Sequence, residues 1–549
     1  MGSIGEQHDR SKVPPNTYDA LIIGAGINGV AMLYHTLKLG MKVKILEAGD
    51  GVGGVWFWNR YPGARFDSES YSYGYSWSQE VLDEWDWTEH FSPQPQTEKY
   101  INFVVDKFNM RDQIQLHSRV TKATYRDADK RWTVEIDNGE TFDTKFFITA
   151  VGPLNKPCMP KMDGIERFKG QWTHTARWPK EGLDYAGKRV AVIGTGATGV
   201  QTITEVAKTA GQLYVFQRRP NWCAPLHNSP ISKEEMAKIR QRYPEIFKRC
   251  SQSIAGFMHT PDSRGTLEVT DEEREAFYEH LYASPGFGIW QGNFRDMLYD
   301  QDANNLLTEF MTKKIRGRVH DPKVAEKLIP TDHGCGALRM PMESGYYEVY
   351  NQPNVELIDN TPNPGGTPIT TVTETGVQTT AKEYEVDIII YATGFDAVTG
   401  AFNDIDIRGK AGRSLREYWK EGPHTYLGVS VEGFPNMLMV AGPHTSLGNI
   451  PRSCEFTILW LARLLDHMNK KGLGCIEATR QGVKNWTNHV KATGRDHLVN
   501  HADSWLTGIN RNIEGRDRRV IMRYTGGAPE YREKCEEIEG RRYDTFAME

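Results

Sequence analysis

Two glycine-rich motifs of identical spacing are the strongest chemical signal in this 549-residue chain. The glycines are Gly24, Gly26 and Gly29 in the first motif and Gly194, Gly196 and Gly199 in the second. In Gly-x-Gly-x-x-Gly the first glycine permits a tight turn, and the second lets backbone approach a pyrophosphate. The third lets a helix pack closely on a strand, so that the helix N-terminus faces the phosphates. We therefore expect two dinucleotide sites.

The residue 23 positions after the first glycine distinguishes the two sites. In the first unit it is Glu47, whose carboxylate accepts hydrogen bonds from a ribose diol and repels a 2′-phosphate. In the second it is Gln217, followed by Arg218 and Arg219, which bind a 2′-phosphate by charge-assisted hydrogen bonds. The first site therefore suits FAD or NAD and the second NADP(H). The plainer alternative, a tight turn with surface arginines, explains two complete units poorly.

Sites with these preferences imply hydride transfer from NADPH to a flavin, which then needs an electron acceptor. Disulfide reductases of this architecture place a cysteine pair beside the flavin. The seven cysteines of this chain are scattered and contain no Cys-x-x-Cys. Dioxygen is the natural remaining acceptor. The same scatter argues against a disulfide framework and against a zinc cluster, so we expect no metal ion.

The elements that must position these residues form two strand–turn–helix–strand units, within 18–47 and 188–219. Apolar β-branched runs that stop at glycine, within 146–154 and 386–396, indicate further buried parallel strands. Residues from about 228 to 330 have helical spacing with charged faces. The predicted fold class is α/β, with two Rossmann-like dinucleotide-binding domains (FAD and NADP) and a helical insertion.

We predict that the FAD domain is split around the NADP domain, which is itself split around the helical insertion. The segments are 1–153 (FAD domain, first part), 154–225 (NADP domain, first part), 226–336 (helical insertion), 337–389 (NADP domain, second part) and 390–549 (FAD domain, second part). Near the C-terminus, apolar positions between Phe456 and Met468 predict a core helix that stops at Gly472.

Composition and charge limit the kinds of partner and the location that we expect for this protein. With 66 Lys+Arg against 71 Asp+Glu the formal charge is −5, and no long basic run indicates nucleic-acid binding. No stretch approaches the ~18–20 apolar residues that span a bilayer. The first sixteen residues are polar without an apolar core, which predicts no secretory signal. We expect a cytoplasmic protein, monomeric or weakly oligomeric.

Between the two glycine units lies a segment that resembles the FxGxxxHxxxWP fingerprint of type I Baeyer–Villiger monooxygenases. It matches at Phe168, Gly170, His174, Trp178 and Pro179. A second signature of that family also fits. It comprises Gly53, Gly54, Val55 and Trp56, then Tyr61, Pro62, Gly63 and Asp67. The resemblance covers nearly the whole chain. It implies FAD, NADP(H), a ketone substrate and O2, with the ketone converted to an ester or lactone by a flavin C4a-peroxide.

The resemblance implies that Arg339 lies over the flavin as a catalytic residue. A guanidinium there stabilises the anionic peroxide and the oxyanion that forms when it attacks the ketone. Asp67 is expected to hold Arg339 by a carboxylate–guanidinium pair. For Arg339 alone, a surface salt bridge is the competing interpretation. Similar enzymes commonly carry lysine just before this arginine, and Leu338 stands there instead, so the preference for NADPH rests on Arg218, with Arg219 as a possible contributor.

Further roles follow from the resemblance. His174 is interpreted as a hinge residue in a linker between domains, with proton transfer as the minority interpretation. Trp505 resembles a tryptophan on a mobile loop that closes over the nicotinamide ribose; a core aromatic is the alternative. Besides the six motif glycines, the remaining predicted cofactor-binding residues are Glu47, Gly54, Trp56, Asp67, Tyr73, Arg218, Arg219 and Trp505, and the fingerprint residues are Phe168, Gly170, His174 and Trp178.

Two other functions stay open at this point. A sulfide- or amine-oxygenating flavin monooxygenase, or an NADPH oxidase, could use the same scaffold, and only Trp178, Asp67 and Arg339 favour ketones. A non-catalytic, nucleotide-sensing flavoprotein is the alternative from another class. The ketone pocket is expected near Pro153 and Leu154, residues 441–447 and the Trp505 loop. The ketones accepted, the regioselectivity and the physiological role cannot be derived from these residues.

Overall fold

The computed structural model describes residues 16–549, and the polar start on which the signal-peptide prediction rests lies almost wholly outside them. The strands of this part of the chain follow in chain order: β1 Thr17–Ile23, β2 Val43–Leu46, β3 Ile114–Gln115, β4 Val120–Arg126, β5 Arg131–Ile136, β6 Thr141–Thr149, β7 Gln171–His174, β8 Arg189–Ile193, β9 Gln212–Gln217, β10 Ala224–Pro225, β11 Met342–Glu343, β12 Val355–Asp359, β13 Ile369–Val372, β14 Gly376–Thr379, β15 Glu383–Glu385, β16 Ile388–Tyr391, β17 Asp406–Arg408, β18 Met437–Met439, β19 Ile476–Ala478 and β20 Phe546–Met548.

The α-helices follow in the same way: α1 Ile27–Lys38, α2 Val55–Trp58, α3 Ser70–Tyr73, α4 Gln79–Glu84, α5 Gln94–Lys107, α6 Ala197–Val206, α7 Lys233–Gln252, α8 Asp271–Ala283, α9 Gly288–Gln291, α10 Gln301–Arg318, α11 Pro322–Leu328, α12 Gly400–Asn403, α13 Leu415–Tyr418, α14 Ile450–Lys471, α15 Arg480–Thr493 and α16 Ala528–Gly540. The predicted C-terminal core helix is α14, and it ends where predicted, at Gly472 in the left-handed conformation.

The first sheet has eight strands in the order β17-β4-β5-β6-β1-β2-β3, with β18 also paired to β6. The buried strand β1 lies at its centre, parallel to β2 and β6, because its apolar residues are covered on both faces. Strands β4, β5 and β6 form an antiparallel meander beside it. Helix α1 packs against α14 over this sheet. The first glycine motif therefore stands at the carboxyl end of a central strand.

The second sheet has five parallel strands in the order β12-β9-β8-β16-β7. Strand β8 precedes the second glycine motif, and α6 follows it. The run that contains β16 pairs with β8, so it belongs to this sheet. A boundary at residue 390 would cut β16 in two, so the pairing of β16 with β8 places this boundary at least two residues later, after Tyr391. The sequence pattern could not show this, because any buried parallel strand that stops at glycine looks alike.

The segment between β9 and β12 is mainly helical, as its charged spacing predicts, and contains α7 to α11. Four of these helices begin at polar caps that accept a backbone hydrogen bond: Ser232, Thr270, Asp300 and Asp321. Apolar residues of the insertion share one core with the second sheet, for example Phe310 and Met311 with Val190. The division into five segments otherwise stays a prediction.

Within residues 16–549, no group of His, Cys, Asp and Glu side chains could hold a metal ion. No helix of this range is long and apolar enough to cross a membrane. All seven cysteines are free and buried.

Candidate active site

The two glycine turns have the same backbone geometry. Gly24 and Gly194 adopt φ of +104° and +110°, which side chains on L-residues rarely allow. A Cβ on Gly29 would lie 1.9 Å from the Gly24 carbonyl oxygen, and one on Gly199 would lie 2.2 Å from that of Gly194. Only glycine therefore lets α1 and α6 pack this closely on the strands before them.

The middle glycines leave the backbone bare where a phosphate would approach. Gly26 is the N-cap of α1, and its backbone lies against Gly54, at the start of α2. Gly196 is the N-cap of α6, and a Cβ placed on it would meet nothing within 4 Å. Both helix N-termini lack acidic residues in the first turn. These bare, positive helix ends fit the pyrophosphates of two dinucleotides.

Glu47 follows β2 and is buried beside the first turn. Its Oε2 accepts from the Ala25 backbone N–H and its Oε1 from that of Gly49, each at 2.7 Å. Burial raises the pKa of Glu47, and the two backbone donors act against that rise. The carboxylate thus braces the turn and lies at the edge of the cavity described below.

Guanidinium groups cluster just after β9, at the place that corresponds to Glu47 in the first unit. Burial, and then the neighbouring Arg511 and Arg219, lower the pKa of Arg218. The Arg219 Nε lies 2.6 Å from Asp332 Oδ2, so its charge is compensated, whereas within the described chain Arg218 has no acidic partner. Arg511, which sequence reasoning missed because no motif marks it, also lies beside Arg218, and its Nη2 lies 3.5 Å from Asp503 Oδ2. This cluster suits a 2′-phosphate.

A cavity of about 640 Å³ lies between the two glycine turns. Of the predicted site residues it brings together Gly24, Gly26, Glu47, Gly54, Trp56, Asp67, Tyr73, Gly196, Arg339 and Trp505. The others lie outside its lining: Gly29, Gly194, Gly199, Arg218, Arg219, Phe168, Gly170, His174 and Trp178. Pro153, Leu154 and Leu447 line it as expected, but residues 441–446 do not.

The ion pair predicted for Asp67 and Arg339 is present in this cavity. Arg339 Nη2 lies 2.6 Å from Asp67 Oδ2, and the Asp67 side chain is 1% exposed while that of Arg339 is 31% exposed. Asp67 Oδ2 also accepts from the Met342 backbone N–H at 3.3 Å. Asp67 Oδ1 is buried without a hydrogen-bond partner in the described chain. The aspartate is therefore fixed, and it aims the guanidinium into the cavity.

The segment around Tyr61 joins the first domain to α6 of the second. The Tyr61 hydroxyl donates to Gln201 Oε1 at 2.8 Å, and Gln201 Nε2 donates to the Arg65 carbonyl oxygen at 3.0 Å. A Cβ on Gly63 would lie 2.7 Å from the Gln201 carbonyl oxygen. This close contact aligns the second turn with the first, and Gln201 is a positioning residue that no motif revealed.

The fingerprint residues pack on the second sheet. Phe168 and Trp178 are buried in two different apolar cores, one on each side of the sheet. A Cβ on Gly170 would lie 2.5 Å from the Asp387 carbonyl oxygen. His174 ends the edge strand β7, so its placement in a linker is wrong. Its Nδ1 accepts from the Ala176 N–H, and burial, helped by Arg177, lowers its pKa to about 4.

Aromatic residues from several parts of the chain line the cavity. Trp56 Nε1 donates to the Tyr73 hydroxyl at 3.0 Å, which fixes both rings. Trp505 opens a short 3₁₀ helix and packs beside Leu154 and Met522. Phe287 and Trp290, from the helical insertion, also line the cavity, and sequence reasoning missed them because they stand in no motif. The insertion thus shapes the site although its sequence shows only helical periodicity.

The known proteins that this chain resembles are monooxygenases. The flavin-binding monooxygenase-like family (FMO-like) matches residues 19–236. The chain is 44% identical to 2-oxo-Δ3-4,5,5-trimethylcyclopentenylacetyl-CoA monooxygenase of Pseudomonas putida, over 98% of this chain and 99% of that protein. It is 38% identical to phenazine N-monooxygenase of Lysobacter antibioticus, over 97% of each. It is 36% identical to a Baeyer–Villiger monooxygenase of Pseudooceanicola batsensis, over 98% of each.

Solved structures show the same likeness. The crystal structure of OTEMO in complex with FAD and NADP matches with a TM-score of 0.93 at 44% identity, over 97% of this chain and 99% of that one. The α/β fold with two Rossmann-like sheets is thus the fold of a protein crystallised with both dinucleotides.

Proposed function

The chain belongs to the type I Baeyer–Villiger monooxygenases, and we propose how its own residues divide the tasks of that reaction. It is a FAD- and NADPH-dependent enzyme that oxidises ketones to esters or lactones. The observation that carries the assignment of roles is the Asp67–Arg339 pair, which lines a cavity between two glycine turns.

When bound, FAD would supply the redox chemistry: it would accept a hydride from NADPH and activate O2, so that one oxygen atom enters the ketone and the other leaves as water. Arg339 stabilises the negative charge that develops on the ketone oxygen, because Asp67 holds its guanidinium in a fixed position on the cavity wall. Asp67 keeps that guanidinium in place and takes no proton itself. One donor of this kind lowers the barrier by about 3–4 kcal/mol.

The cofactor roles follow the two turns. Gly24, Gly26 and Gly29, with Gly54, hold the FAD pyrophosphate, and Glu47 receives its ribose. Trp56 and Tyr73, hydrogen-bonded to each other, support the flavin end. Gly194, Gly196 and Gly199 hold the NADP pyrophosphate. Arg218, with Arg511 beside it, binds the 2′-phosphate, while Arg219 serves mainly to keep Asp332 in place.

The fingerprint residues act at a distance from the cavity. Phe168, Gly170 and Trp178 fix the start of the second sheet, and His174, buried and neutral, transmits NADP(H) binding as a hinge at the end of β7. Trp505 closes the cavity over the nicotinamide end. Because His174 lies outside the cavity lining, a direct proton-transfer role has no support in its surroundings.

Beyond the ketone and O2, we propose a monomer or weak oligomer without a nucleic-acid partner, working in the cytoplasm. The near balance of charges and the seven buried free cysteines support this, since free thiols persist in a reducing compartment. Oxygenation of a nitrogen or sulfur atom stays a second candidate, because a phenazine N-monooxygenase is as similar as some ketone-oxidising relatives.

The test is turnover of a ketone panel with NADPH and isotopically labelled dioxygen. We expect ester or lactone that carries one labelled oxygen atom. Arg339→Ala should keep FAD but lower product formation on the order of 10²–10³-fold, with NADPH oxidation ending in hydrogen peroxide. Arg316→Ala, which removes an exposed arginine paired with Glu326, is the matched control. Product formation undiminished in Arg339→Ala would exclude its role, and N-oxide or sulfoxide without any ester would favour the second candidate.

A further inference from the structure

Arg523 is one of five arginines that line the cavity; the others are Arg65, Arg119, Arg177 and Arg339. Unlike Arg339, it has no acidic partner in the described chain, and of the five it alone has a buried Nε without a hydrogen-bond partner. It follows Met522, and both residues line the cavity. Its Nε is buried without a hydrogen-bond partner. Within residues 16–549 its side chain forms neither an ion pair nor a hydrogen bond. Arg339 is therefore held by a buried carboxylate, whereas Arg523 has no counter-charge in the described chain.

The groups that face Arg523 do not compensate its charge. The titratable groups that interact electrostatically with Arg523 are Tyr299 and His497. Their rings pack against each other, with centroids 4.8 Å apart. Burial raises the pKa of the Tyr299 phenol, so it stays protonated at neutral pH. Burial, together with Arg523, lowers the pKa of His497 to about 3, so it stays neutral. Burial also lowers the pKa of Arg523, but an arginine remains protonated in proteins.

The Arg523 side chain is partly exposed on the cavity wall, and its buried Nε has no partner. Because leaving a buried donor of a charged group unpaired is costly, an anion in the cavity would supply the missing counter-charge. The dinucleotide phosphates already have bare helix ends, and the 2′-phosphate has the Arg218 cluster. Met522 packs with Leu154 and Trp505, so the wall beside Arg523 is apolar, as suits the carbon skeleton of a ketone. The remaining candidate for an anion is the substrate.

We propose that Arg523 binds a carboxylate on the ketone, so that this enzyme prefers keto acids to neutral ketones of the same skeleton. The planar guanidinium receives a carboxylate by two parallel hydrogen bonds and orients the ketone toward Arg339. Arg523 is thus a specificity-determining residue. The inference rests on the proposed function, since it assumes that a ketone occupies the cavity.

The experiment compares a cyclic ketone with an acetate side chain and its methyl ester, in the FAD-loaded enzyme with saturating NADPH. We expect kcat/KM to be at least about tenfold higher for the acid, mainly through KM. Arg523→Gln should abolish that preference and change the ester by less than about twofold, while Arg523→Lys should keep part of it. Arg518→Gln, at an exposed arginine nearby in the chain, is the control.

The outcomes separate the alternatives. An equal preference in the wild type and in Arg523→Gln would overturn the inference while leaving ketone oxidation intact. A rise in the KM for NADPH, or loss of FAD, with both ketones affected alike would show that Arg523 binds a cofactor phosphate, and would also overturn it. No oxygenated product from either ketone would overturn the proposed function and this inference with it. If Arg523→Gln does not take up FAD, the test uses the wild type and Arg523→Lys instead. The inference then depends on the ratio of kcat/KM for the acid to kcat/KM for the ester in these two proteins.

Discussion

The two glycine turns share one geometry but face different surroundings. At the first turn, Gly26 lies against Gly54, and a Cβ on Gly54 would lie 2.7 Å from the Gly26 Cα. At the second turn, Gly196 has open space in front of it for at least 4 Å. Both turns line the cavity. We call the first turn closed, because a second glycine segment of the same domain lies against Gly26, and the second turn open, because nothing lies in front of Gly196.

This difference matches two kinds of cofactor use. A closed turn, braced by the buried Glu47, suits a flavin that stays bound through every cycle. An open turn, with a cluster of arginines at the surface, suits a nicotinamide dinucleotide that must enter and leave. We therefore expect the two identical motifs to differ in how long they hold a dinucleotide, because different neighbouring elements lie beside them.

The largest expected effect is a split between the two third glycines. Gly29→Ala should give protein without FAD, because its Cβ would lie 1.9 Å from the Gly24 carbonyl oxygen. Gly199→Ala should retain FAD and lose NADPH binding, since its clash at 2.2 Å lies in the other domain. Flavin absorbance of the purified proteins and titration with NADPH measure the two losses.

Gly317→Ala, in α10 with no atom within 4 Å of the new Cβ, is the control and should behave as wild type. Loss of FAD in Gly199→Ala as well would contradict the independence of the two turns.

A smaller effect should separate the two arginines of the second unit. Arg218→Ala should lower the ratio of kcat/KM for NADPH to that for NADH by roughly 10–100-fold, the effect of one charged hydrogen bond. Arg219→Ala should lower it by less than about fivefold, because Asp332 already compensates its charge. Steady-state kinetics with both dinucleotides measure the ratios. An unchanged ratio in Arg218→Ala would remove that residue from the 2′-phosphate site.

The smallest effect concerns one buried histidine in each domain. The pKa of His35 and of His174 is lowered from 6.5 to about 4, in both cases chiefly by burial. Below pH 6.5 the unfolded chain takes up a proton that the folded protein refuses until about pH 4, so stability falls as the pH falls through that window. At pH 5.5 each histidine should cost about 1 kcal/mol.

Replacing either residue by asparagine should reduce the drop in Tm between pH 7 and pH 5.5 by about 1–2 °C. Thermal unfolding followed by flavin fluorescence measures it, with the exposed His280→Asn as control. If only His174→Asn responds, the second domain unfolds first, and the comparison between the two halves extends to their stability.

Much of the site was predictable because its signals are local. Glycine spacing shows where a turn must be tight, and Arg218 is marked by its distance from Gly194 along the chain. The Asp67–Arg339 pair was expected from resemblance to a family, since no local rule joins residues so far apart in sequence. The helices of the insertion followed from their periodicity, and α14 from its apolar positions and Gly472.

Other features could not be predicted. The boundary near residue 390 was misplaced because strand pairing, which assigns β16 to the second sheet, is a long-range property. The segment around His174 was interpreted as a linker, and only the pairing of β7 with β16 shows that His174 belongs to a strand. Gln201, Arg511, Phe287 and Trp290 have no motif, and they matter only through what the fold places beside them.

The sequence by itself determined the fold class, the two dinucleotide turns and the pair of cofactors, FAD and NADP(H), because backbone sterics and charge act within a few residues. The tertiary structure alone decided which turn is closed and which is open, that Arg219 is compensated while Arg218 is not, and that Arg523 stands in the cavity without a counter-charge. The physical reason is that burial and pairing of a charge depend on neighbours brought together by folding, whatever their separation along the chain.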